Sequence, residues 1–490
     1  MRGNRTLPWR HLNVQLSGHF SAKLCVRVLK IRIRFREISR SDYGHPGCAK
    51  LPCRQIGSIT PSAKRKMIIR ALSMLLLSLS VLSPLVFPRA SAEDWPAWRG
   101  PRGDGTSSES NVPTLWDGTT GKNIDWKTPI PGTGYSSPIV IGDAIFVTAC
   151  DEESQSRMLH RIDRKNGKVL WSQNVIQAPL EGMHKLNSYA SGTPVADRSN
   201  VFVTFFQTDA TNQKRGEPGK MIVASYDYDG NKQWIKDVGA FSSVHGYCTS
   251  PVLHDELLIV NGDHDGESYI AGLSKKTGDV VWTLKREHRT RSYVTPLLRK
   301  IGGKTQAVMS GSKRVIGFDP DNGELLWWVE GPTEQFVASL VYDNKNFYLT
   351  AGFPTYHVMA IRPDGRGDVS ESHVTWHVED AKSYVPSPVV VNDLLFVADD
   401  RGIAHCFDTK NGDHVWRERM GRHFSASLVT ANDLVYLTTD DGETLVIEAK
   451  REAKILQTNK LGEQVFASPA ISDGKIYLRG KKHLFCISQK

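Results

Sequence analysis

The feature that most restricts how this chain can fold is a pattern that occurs eight times from residue 135 onwards. Each copy has an aromatic residue, a few small residues, usually a proline, two apolar runs, and in most copies a tight turn followed by tryptophan. The copies begin at Tyr135, Tyr189, Tyr247, Tyr293, Phe336, Tyr384, Phe424 and Phe466. Their first apolar runs, from Pro138 to Pro469, start 40 to 57 residues apart, which is typical of a propeller blade. The repeat therefore predicts an all-β, eight-bladed β-propeller of four-stranded antiparallel blades.

A second signature, Asp-x-x-(Thr/Asn)-Gly-x-x-x-Trp, marks the turn before the last strand of a blade. Its carboxylate can accept backbone N–H bonds, and its glycine supplies the positive φ of the turn. Its tryptophan falls on the last strand, where the ring can pack between neighbouring blades. The residues assigned to this structural motif are Asp163, Gly167, Trp171, Gly278, Trp282, Asp319, Gly323, Trp327, Asp408, Gly412 and Trp416. Turn chemistry and packing explain every position, so the motif indicates a fold and not a cofactor site.

The last two copies depart from the pattern. The seventh has Leu456 where other copies have tryptophan, and the eighth ends soon after Ile487 without a closing strand. We predict that Trp126 and its neighbours form the outermost strand of the last blade, since this closure leaves no exposed strand edge at the seam. The propeller would then be one domain, residues 115–490, preceded by a lead segment, residues 93–114.

Charge and hydropathy set the amino-terminal 92 residues apart. Residues 1–66 carry a net charge of +13, whereas residues 93–490 carry 45 Lys and Arg against 50 Asp and Glu. The overall positive charge therefore does not indicate nucleic-acid binding. Residues 67–92 have a charged start, an apolar run and an Ala-Ser-Ala end, which is typical of a cleaved signal peptide. We predict an exported, periplasmic or extracellular monomer with no membrane span after cleavage, and we interpret residues 1–66 as a disordered extension upstream of the true start.

The turn signature, repeated over nearly the whole exported region, resembles the PQQ-like (pyrrolo-quinoline quinone) repeat family of β-propellers. That family includes quinoprotein alcohol dehydrogenases and the outer-membrane assembly scaffold BamB. The segments Asp94 to Pro101, Asn187 to Ser191 and His245-Gly246 are similar to a group of secreted bacterial propellers of this class. The resemblance implies the fold and leaves the activity open, because one fold carries many functions.

The cysteines argue against the enzymes of that family. Quinoprotein dehydrogenases carry two adjacent cysteines near the quinone, a Ca²⁺ ion on oxygen ligands and a catalytic Asp. In the exported region the closest pair, Cys406 and Cys486, is 80 residues apart, and no haem-attachment motif occurs. Motifs of serine hydrolases, zinc proteases and P-loop proteins are also absent. We expect no catalytic residues, no metal and no cofactor, and PQQ binding has no support from the site residues.

Polar residues that precede the first strands of the second to fourth blades form the candidate ligand-binding site. Loops entering these strands converge over the central channel of a propeller. The candidate residues are His184, Asn187, Tyr189, His245, Arg289, Arg291 and Tyr293. Their Arg and His donors could bind an anionic or sugar-like ligand. Alternatively, the same groups satisfy backbone polar atoms between blades.

The aromatic residues that begin the eight copies have two alternative roles. They either wedge between blades and are buried, or turn to the axis as a partly exposed collar around the channel. We expect a non-catalytic binding or scaffolding propeller with a protein, peptide or carbohydrate partner at the channel mouth. The alternative is a quinone-dependent dehydrogenase-like protein or another enzyme that uses the same face.

Overall fold

The computed structural model describes residues 93–209 and 214–489. The predicted upstream extension, residues 1–66, and signal peptide, residues 67–92, lie outside the described residues. Every regular element in the described residues is a β-strand, and this part of the chain contains no helix of the length and apolarity that a membrane crossing requires.

The first seventeen strands in chain order are β1 (Ile124–Pro129), β2 (Ile139–Ile141), β3 (Ala144–Asp151), β4 (Ser156–Asp163), β5 (Val169–Gln177), β6 (Val195–Ala196), β7 (Asn200–Gln207), β8 (Gly219–Asp227), β9 (Lys232–Phe241), β10 (Val252–His254), β11 (Leu257–Gly262), β12 (Tyr269–Ser274), β13 (Val280–Lys285), β14 (Leu297–Ile301), β15 (Lys304–Gly311), β16 (Arg314–Phe318) and β17 (Leu325–Glu330). The others are β18 (Val341–Tyr342), β19 (Phe347–Ala351), β20 (His357–Ile361), β21 (Gly367–Asp368), β22 (Val374–Val378), β23 (Val389–Val391), β24 (Leu394–Ala398), β25 (Ile403–Asp408), β26 (His414–Arg419), β27 (Val429–Ala431), β28 (Leu434–Thr438), β29 (Glu443–Glu448), β30 (Ile455–Lys460), β31 (Ala470–Ser472), β32 (Lys475–Arg479) and β33 (His483–Ser488).

The strands form eight sheets, which are the blades. Blades 1 to 4 are β2–β5, β6–β9, β10–β13 and β14–β17; blade 5 is β18, β19, β20 and β22; blades 6 and 7 are β23–β26 and β27–β30; blade 8 is β31–β33 with β1. The short strand β21 adds to blade 4, parallel to β17. First strands of neighbouring blades contact each other from blade 8 through blades 1 and 2 to blade 3, and from blade 5 to blade 7, around a central channel. The predicted all-β, eight-bladed propeller of four-stranded antiparallel blades is confirmed.

Blade 8 is completed by a strand from the amino-terminal side of the propeller. Strand β1 runs antiparallel to β33, and Trp126 lies opposite Cys486. The indole Nε1 of Trp126 also donates to the carbonyl of Arg164 in blade 1, at 3.1 Å. Strand β1 therefore pairs the edge of β33 and links the last blade to the first.

Tryptophans on the fourth strands pack against the turn of the next blade. A Cβ on Gly278 of blade 3 would lie 2.5 Å from the ring of Trp234 in blade 2, and Gly278 has a φ of +75°, which favours glycine. Trp234 Nε1 donates to the carbonyl of Lys275 in the same turn, at 2.9 Å. The same packing occurs for Trp126 on Gly167, Trp171 on Gly230, Trp282 on Gly323 and Trp376 on Gly412. The tryptophan of one blade thus packs on the turn glycine of the next blade, and this contact joins the two blades.

The carboxylate of the signature shapes the turn itself. Asp163 Oδ1 accepts the backbone N–H groups of Lys165 and Asn166, at 2.8 and 3.0 Å. Asp319 and Asp408 likewise accept the N–H of the residue two positions ahead.

Blade 7 lacks the signature and differs in its turn. The turn after Glu448 contains one residue more than the turn of blade 6. Gln457 pairs with Val446 at the position that tryptophan occupies in other blades. The expectation for Leu456 was wrong by one residue, because the additional turn residue shifts the register.

A belt of buried hydroxyl groups joins the blades around the channel. In each blade a serine or threonine precedes the Pro or Leu that leads into the first strand, and all eight are buried. The backbone N–H of this residue donates to the hydroxyl of its counterpart in the next blade, at 2.9 to 3.0 Å, in seven pairs: Ser137 to Thr193, Thr193 to Ser250, Thr295 to Ser339, Ser339 to Ser387, Ser387 to Ser427, Ser427 to Ser468, and Ser468 to Ser137. The last pair joins blade 8 to blade 1. We call these eight residues the hydroxyl belt.

The lead segment crosses the channel. Trp95 exchanges backbone hydrogen bonds with Val140 of blade 1, at 2.7 and 2.8 Å. The buried Arg99 donates to the carbonyls of Ser387 and Pro388 in blade 6. Backbone bonds at residues 105–107 reach Thr430 of blade 7. The segment therefore spans from one side of the ring to the other and places Trp98 against the channel.

Candidate ligand-binding site at the channel mouth

Two cavities lie where the loops that lead into the first strands converge. The larger, the mouth cavity, has a volume of about 360 Å³, and the smaller, the inner cavity, has about 130 Å³. The mouth cavity is lined by His184, Leu186, Asn187, His245, Cys248, Arg291, Tyr293, Gln335, Val337, Phe353, Tyr384, Val385, Asp400 and His423. Six of these residues also line the inner cavity, and Trp98 of the lead segment lines the inner cavity as well. The lead segment therefore contributes to the inner end of the site.

Two histidines from neighbouring blades stand together at the mouth cavity. The rings of His184 and His245 are 5.6 Å apart and nearly perpendicular, and the His184 backbone N–H donates to the His245 carbonyl at 3.3 Å. Burial, with the positive charge of Arg291, lowers the pKa of His245 to about 4. Burial, followed by the charges of Arg215 and Lys185, also lowers the pKa of His184. Both rings are therefore neutral at pH 7, and each can both donate and accept a hydrogen bond.

Asn187 lines the cavity but uses its amide within the fold. Its Nδ2 donates to the carbonyls of His245 and Tyr247, at 2.8 and 3.4 Å. Its Oδ1 accepts the hydroxyl of Ser191 at 2.7 Å and the N–H of Ser188 at 2.8 Å. The contacts of Asn187 therefore match the second alternative, in which these polar groups satisfy backbone atoms between blades.

Arg291 and Tyr293 come from the loop that enters blade 4. Arg291 Nη1 donates to Asp265 Oδ1 at 2.6 Å, whereas its Nε is buried and has no hydrogen-bond partner in the described residues. The hydroxyl of Tyr293 lies 2.6 Å from Ser243 Oγ, and burial raises the pKa of Tyr293 well above its usual value. Arg291 thus brings a positive charge to the cavity, and Tyr293 brings a neutral phenol.

The opposite wall comes from blades 5 to 7, and of its residues the sequence had indicated only Tyr384, as one of the opening aromatics. The hydroxyl of Tyr384 donates to Gln335 Oε1 at 3.1 Å. Asp400 Oδ1 accepts the backbone N–H of Tyr384 at 3.2 Å, and burial raises the pKa of Asp400. His423 Nδ1 bonds Asp440 Oδ2 at 2.7 Å, and this hydrogen bond is the main cause that raises the pKa of His423.

A local signal could have found part of this wall. Asn187, His245 and Arg291 each stand two positions before the aromatic that begins a copy, and Gln335 and His423 stand one position before it. All five line the mouth cavity. In blades 2 to 5 and 7, a polar residue one or two positions before the opening aromatic therefore marks a position that lines the mouth cavity.

Two predicted site residues lie away from the mouth cavity. Tyr189 lies beneath the guanidinium of Arg157, with 5.5 Å from Cζ to the ring centre, and packs against the core of blades 1 and 2. Arg289 is 67 % exposed and pairs with Glu267 at 2.7 Å. Arg289 and Arg291 are both predicted binding residues, but only Arg291 lines the cavity.

The eight opening aromatics divide between the two predicted roles. Tyr247, Tyr293, Phe336 and Phe424 are buried, whereas Tyr135, Tyr189, Tyr384 and Phe466 are partly exposed. The rings of Tyr135 and Phe466 contact each other in a tilted arrangement, with their centres 4.4 Å apart, and both line the inner cavity. The series therefore combines wedges between blades with an incomplete collar.

The donor set of the two cavities does not fit the quinone and Ca²⁺ of the dehydrogenases. Ca²⁺ takes about six to eight oxygen ligands, most of them carboxylates and carbonyls. Asp400 is the one carboxylate among the lining residues, and its Oδ1 is already bonded to backbone. Cys248 is the one cysteine there, and all four cysteines of the described residues are unpaired. No step of quinone chemistry can be derived from these side chains.

Comparisons with known proteins agree with this architecture. A family model described as outer membrane protein assembly factor BamB matches residues 106–207, 155–418, 355–453 and 405–490. A BamB of Burkholderia pseudomallei (strain K96243) is 28% identical over 96 residues, which are 20% of this chain and 25% of that protein. The chain therefore aligns with about a quarter of that relative's length.

Solved structures show the same fold at low identity. BamB from Moraxella catarrhalis superposes with a TM-score of 0.53 at 11% identity, over 74% of this chain and 99% of that one. A europium-containing methanol dehydrogenase gives a TM-score of 0.56 at 11% identity, over 81% and 98%. A quinohemoprotein alcohol dehydrogenase from Pseudomonas putida HK5 gives 0.53 at 10% identity, over 81% and 80%. Proteins described as an assembly factor and as dehydrogenases share this fold, so these structures indicate the fold alone.

Proposed function

Since the chain belongs to the family described as outer membrane protein assembly factor BamB, we propose that it is an exported, non-catalytic binding or scaffolding propeller. Its channel mouth receives a segment of a protein partner. The relatives' description as assembly factors supports a protein partner, and the mouth cavity supplies the place on this chain where the partner binds.

The observation that carries the proposal is a partly buried arginine, paired with Asp265 through Nη1, beside exposed apolar side chains. Arg291 lines the cavity with an Nε that has no partner in the described residues. Phe353 is 50% exposed and Leu186 is 38% exposed, and both line the same cavity. Exposed apolar groups around a few polar groups are typical of recognition sites. A partner segment with an apolar side chain and a neighbouring carboxylate would match this surface, because guanidinium–carboxylate bonds are strong.

Site-specific crosslinking tests the proposal in the native envelope. A photo-crosslinking residue in place of Phe353 should give a defined adduct with a protein, identified by mass spectrometry. Arg291→Ala in the same protein should reduce that adduct about tenfold or more, as expected for the loss of a charged hydrogen bond of about 1.5–3 kcal/mol. The matched control carries the crosslinker in place of Val281, which is 57% exposed on the outer strand of blade 3.

Three outcomes would contradict the proposal. They are equal adducts from both positions, an adduct from Phe353 that is insensitive to Arg291→Ala, and retention of PQQ after gel filtration of the protein with PQQ and Ca²⁺. The third would favour the dehydrogenase-like alternative. Export is tested separately by amino-terminal sequencing of the envelope protein, for which we expect a start at Glu93 and none of residues 1–66.

A further inference from the structure

A group of three metal-ligating side chains lies on blade 5, outside the mouth cavity. His357 begins β20, His377 lies on β22, and Glu379 follows β22 directly. One ligand atom of each lies within 4.8 Å of the others. We propose that His357, His377 and Glu379 form a binding site for a divalent transition-metal ion of the Zn²⁺ type.

The strand register brings the three residues to one face of the blade. Strands β20 and β22 are antiparallel, with Val358 opposite Val378 and Met359 opposite His377. Side chains alternate along a strand, so His357 shares a face with Met359, and Glu379 shares a face with His377. A His on one strand and a His-x-Glu on its neighbour therefore converge without any distortion of the ladder.

The two imidazoles each direct one ring nitrogen, an atom that can bind a metal ion, toward the other ring. His357 Nδ1 lies 2.8 Å from His377 Nε2. Zinc–nitrogen bonds of about 2.1 Å at the tetrahedral angle place two ligands about 3.4 Å apart, so the nitrogens need to separate by about 0.6 Å. His377 and Glu379 are exposed and can make this adjustment while the buried His357 stays in place.

Thr355 prepares His357 for coordination. The hydroxyl Oγ1 of Thr355 lies 2.6 Å from His357 Nε2. A neutral His357 that donates from Nε2 to this hydroxyl keeps a lone pair on Nδ1, directed at His377. Metal-ligating histidines are commonly oriented in this way by a partner on the second nitrogen.

The donor chemistry selects the class of ion. Two imidazoles and one carboxylate suit zinc, cobalt or nickel, whereas Ca²⁺ and Mg²⁺ prefer oxygen donors alone. Three protein ligands leave a fourth position of a tetrahedral ion for water or for a donor atom of a partner. The carboxylate of Glu379 makes no hydrogen bond or ion pair with the described residues and is therefore available to a metal ion.

The test uses the full chain expressed without a polyhistidine tag, purified from the envelope and stripped of metal by a chelator. Titration with Zn²⁺ by calorimetry should show one ion per chain, and Co²⁺ should give the visible absorption of tetrahedral nitrogen and oxygen ligation. His377→Ala removes a ligand and should weaken Zn²⁺ binding about 100-fold or more. Thr355→Val removes only the hydrogen-bond partner of the ligand His357 and should weaken binding about tenfold, because loss of such a partner costs about 10- to 100-fold in affinity.

A matched control separates this site from the other candidate group in the described residues, His254, Asp255 and Asp321. His254→Ala should leave the Zn²⁺ affinity and the Co²⁺ spectrum unchanged. Because His377 is exposed, its variant should keep the melting temperature of the metal-free protein. Equal Zn²⁺ affinity of His377→Ala and the unmodified protein, or loss of the Co²⁺ bands in His254→Ala, would overturn the proposal.

Discussion

Removing one hydroxyl from the hydroxyl belt should destabilise the propeller by a predictable amount. Ser387 is fully buried, and its Oγ accepts the backbone N–H of Ser339 at 2.9 Å. Its own N–H donates to Ser427 Oγ, and its carbonyl accepts from Arg99. Ser387→Ala deletes only the first of these contacts, because the other two use the backbone of residue 387.

The magnitude follows from the N–H that loses its acceptor. Ser339 is 1% exposed, so water cannot replace the hydroxyl. A buried donor left without a partner costs about 1–3 kcal/mol. At about 2.1 cal/mol/K per residue, a propeller of roughly 400 residues has an unfolding entropy near 0.8 kcal/mol/K, so the melting temperature should fall by about 1–4 °C.

Urea unfolding followed by tryptophan fluorescence measures the difference directly. The control is Ser199→Ala, at an exposed position, where a change within about 0.5 kcal/mol is expected. Ser387→Thr should retain most of the stability, because it keeps the hydroxyl and threonine already occupies the belt at Thr193. A Ser387→Ala protein as stable as the Ser199→Ala control would refute the role of the belt.

Three further predictions concern packing, closure and pH. Trp234→Ala should lower the free energy of unfolding by about 3–5 kcal/mol, because Trp234 is 8% exposed and bonds Lys275 of the next blade; a loss below 1 kcal/mol in urea unfolding would contradict the interblade packing. Deletion of residues 124–129 should expose the edge of β33 and cause aggregation in gel filtration, whereas a monomer with unchanged melting temperature would disprove the closure. Because the bond to Asp440 raises the pKa of His423, the stabilisation from this pair should be complete below about pH 6.5 and lost as pH rises through the higher folded-state pKa. Urea unfolding at several pH values should show that dependence in the unmodified protein and not in His423→Gln.

Much of the fold could be predicted because its signals are local. The glycine of the turn signature is needed where φ is positive, as at Gly278, and the tryptophan four residues later falls on a fixed side of the next strand. The sequence also shows that the eighth copy lacks its last strand and that the segment around Trp126 belongs to none of the eight copies. Leu456 was misplaced because one additional turn residue shifts a strand register without any compositional signal.

The candidate site was predicted mainly on one wall, although Gln335 and His423 of the other wall carry the same local signal. His184, His245 and Arg291 belong to copies with conspicuous polar residues before the first strand, and they line the mouth cavity. Phe353 and Asp400 lie on loops between later strands of their blades, and nothing in their local sequence indicates that these loops reach the channel. Their approach to the channel depends on the ring closing.

The sequence by itself determined the repeat, the blade count and the closing strand, because each depends on spacing along the chain. Only the tertiary structure decided which polar side chains are available for binding. Arg289 and Arg291 are two residues apart, yet one pairs with Glu267 at the surface and the other lines the cavity. His357 and His377 are 20 residues apart, and they meet because the register of β20 and β22 places them on one face. Whether a side chain is exposed, paired or free depends on neighbours that are distant in sequence, and the packed ring sets those neighbours.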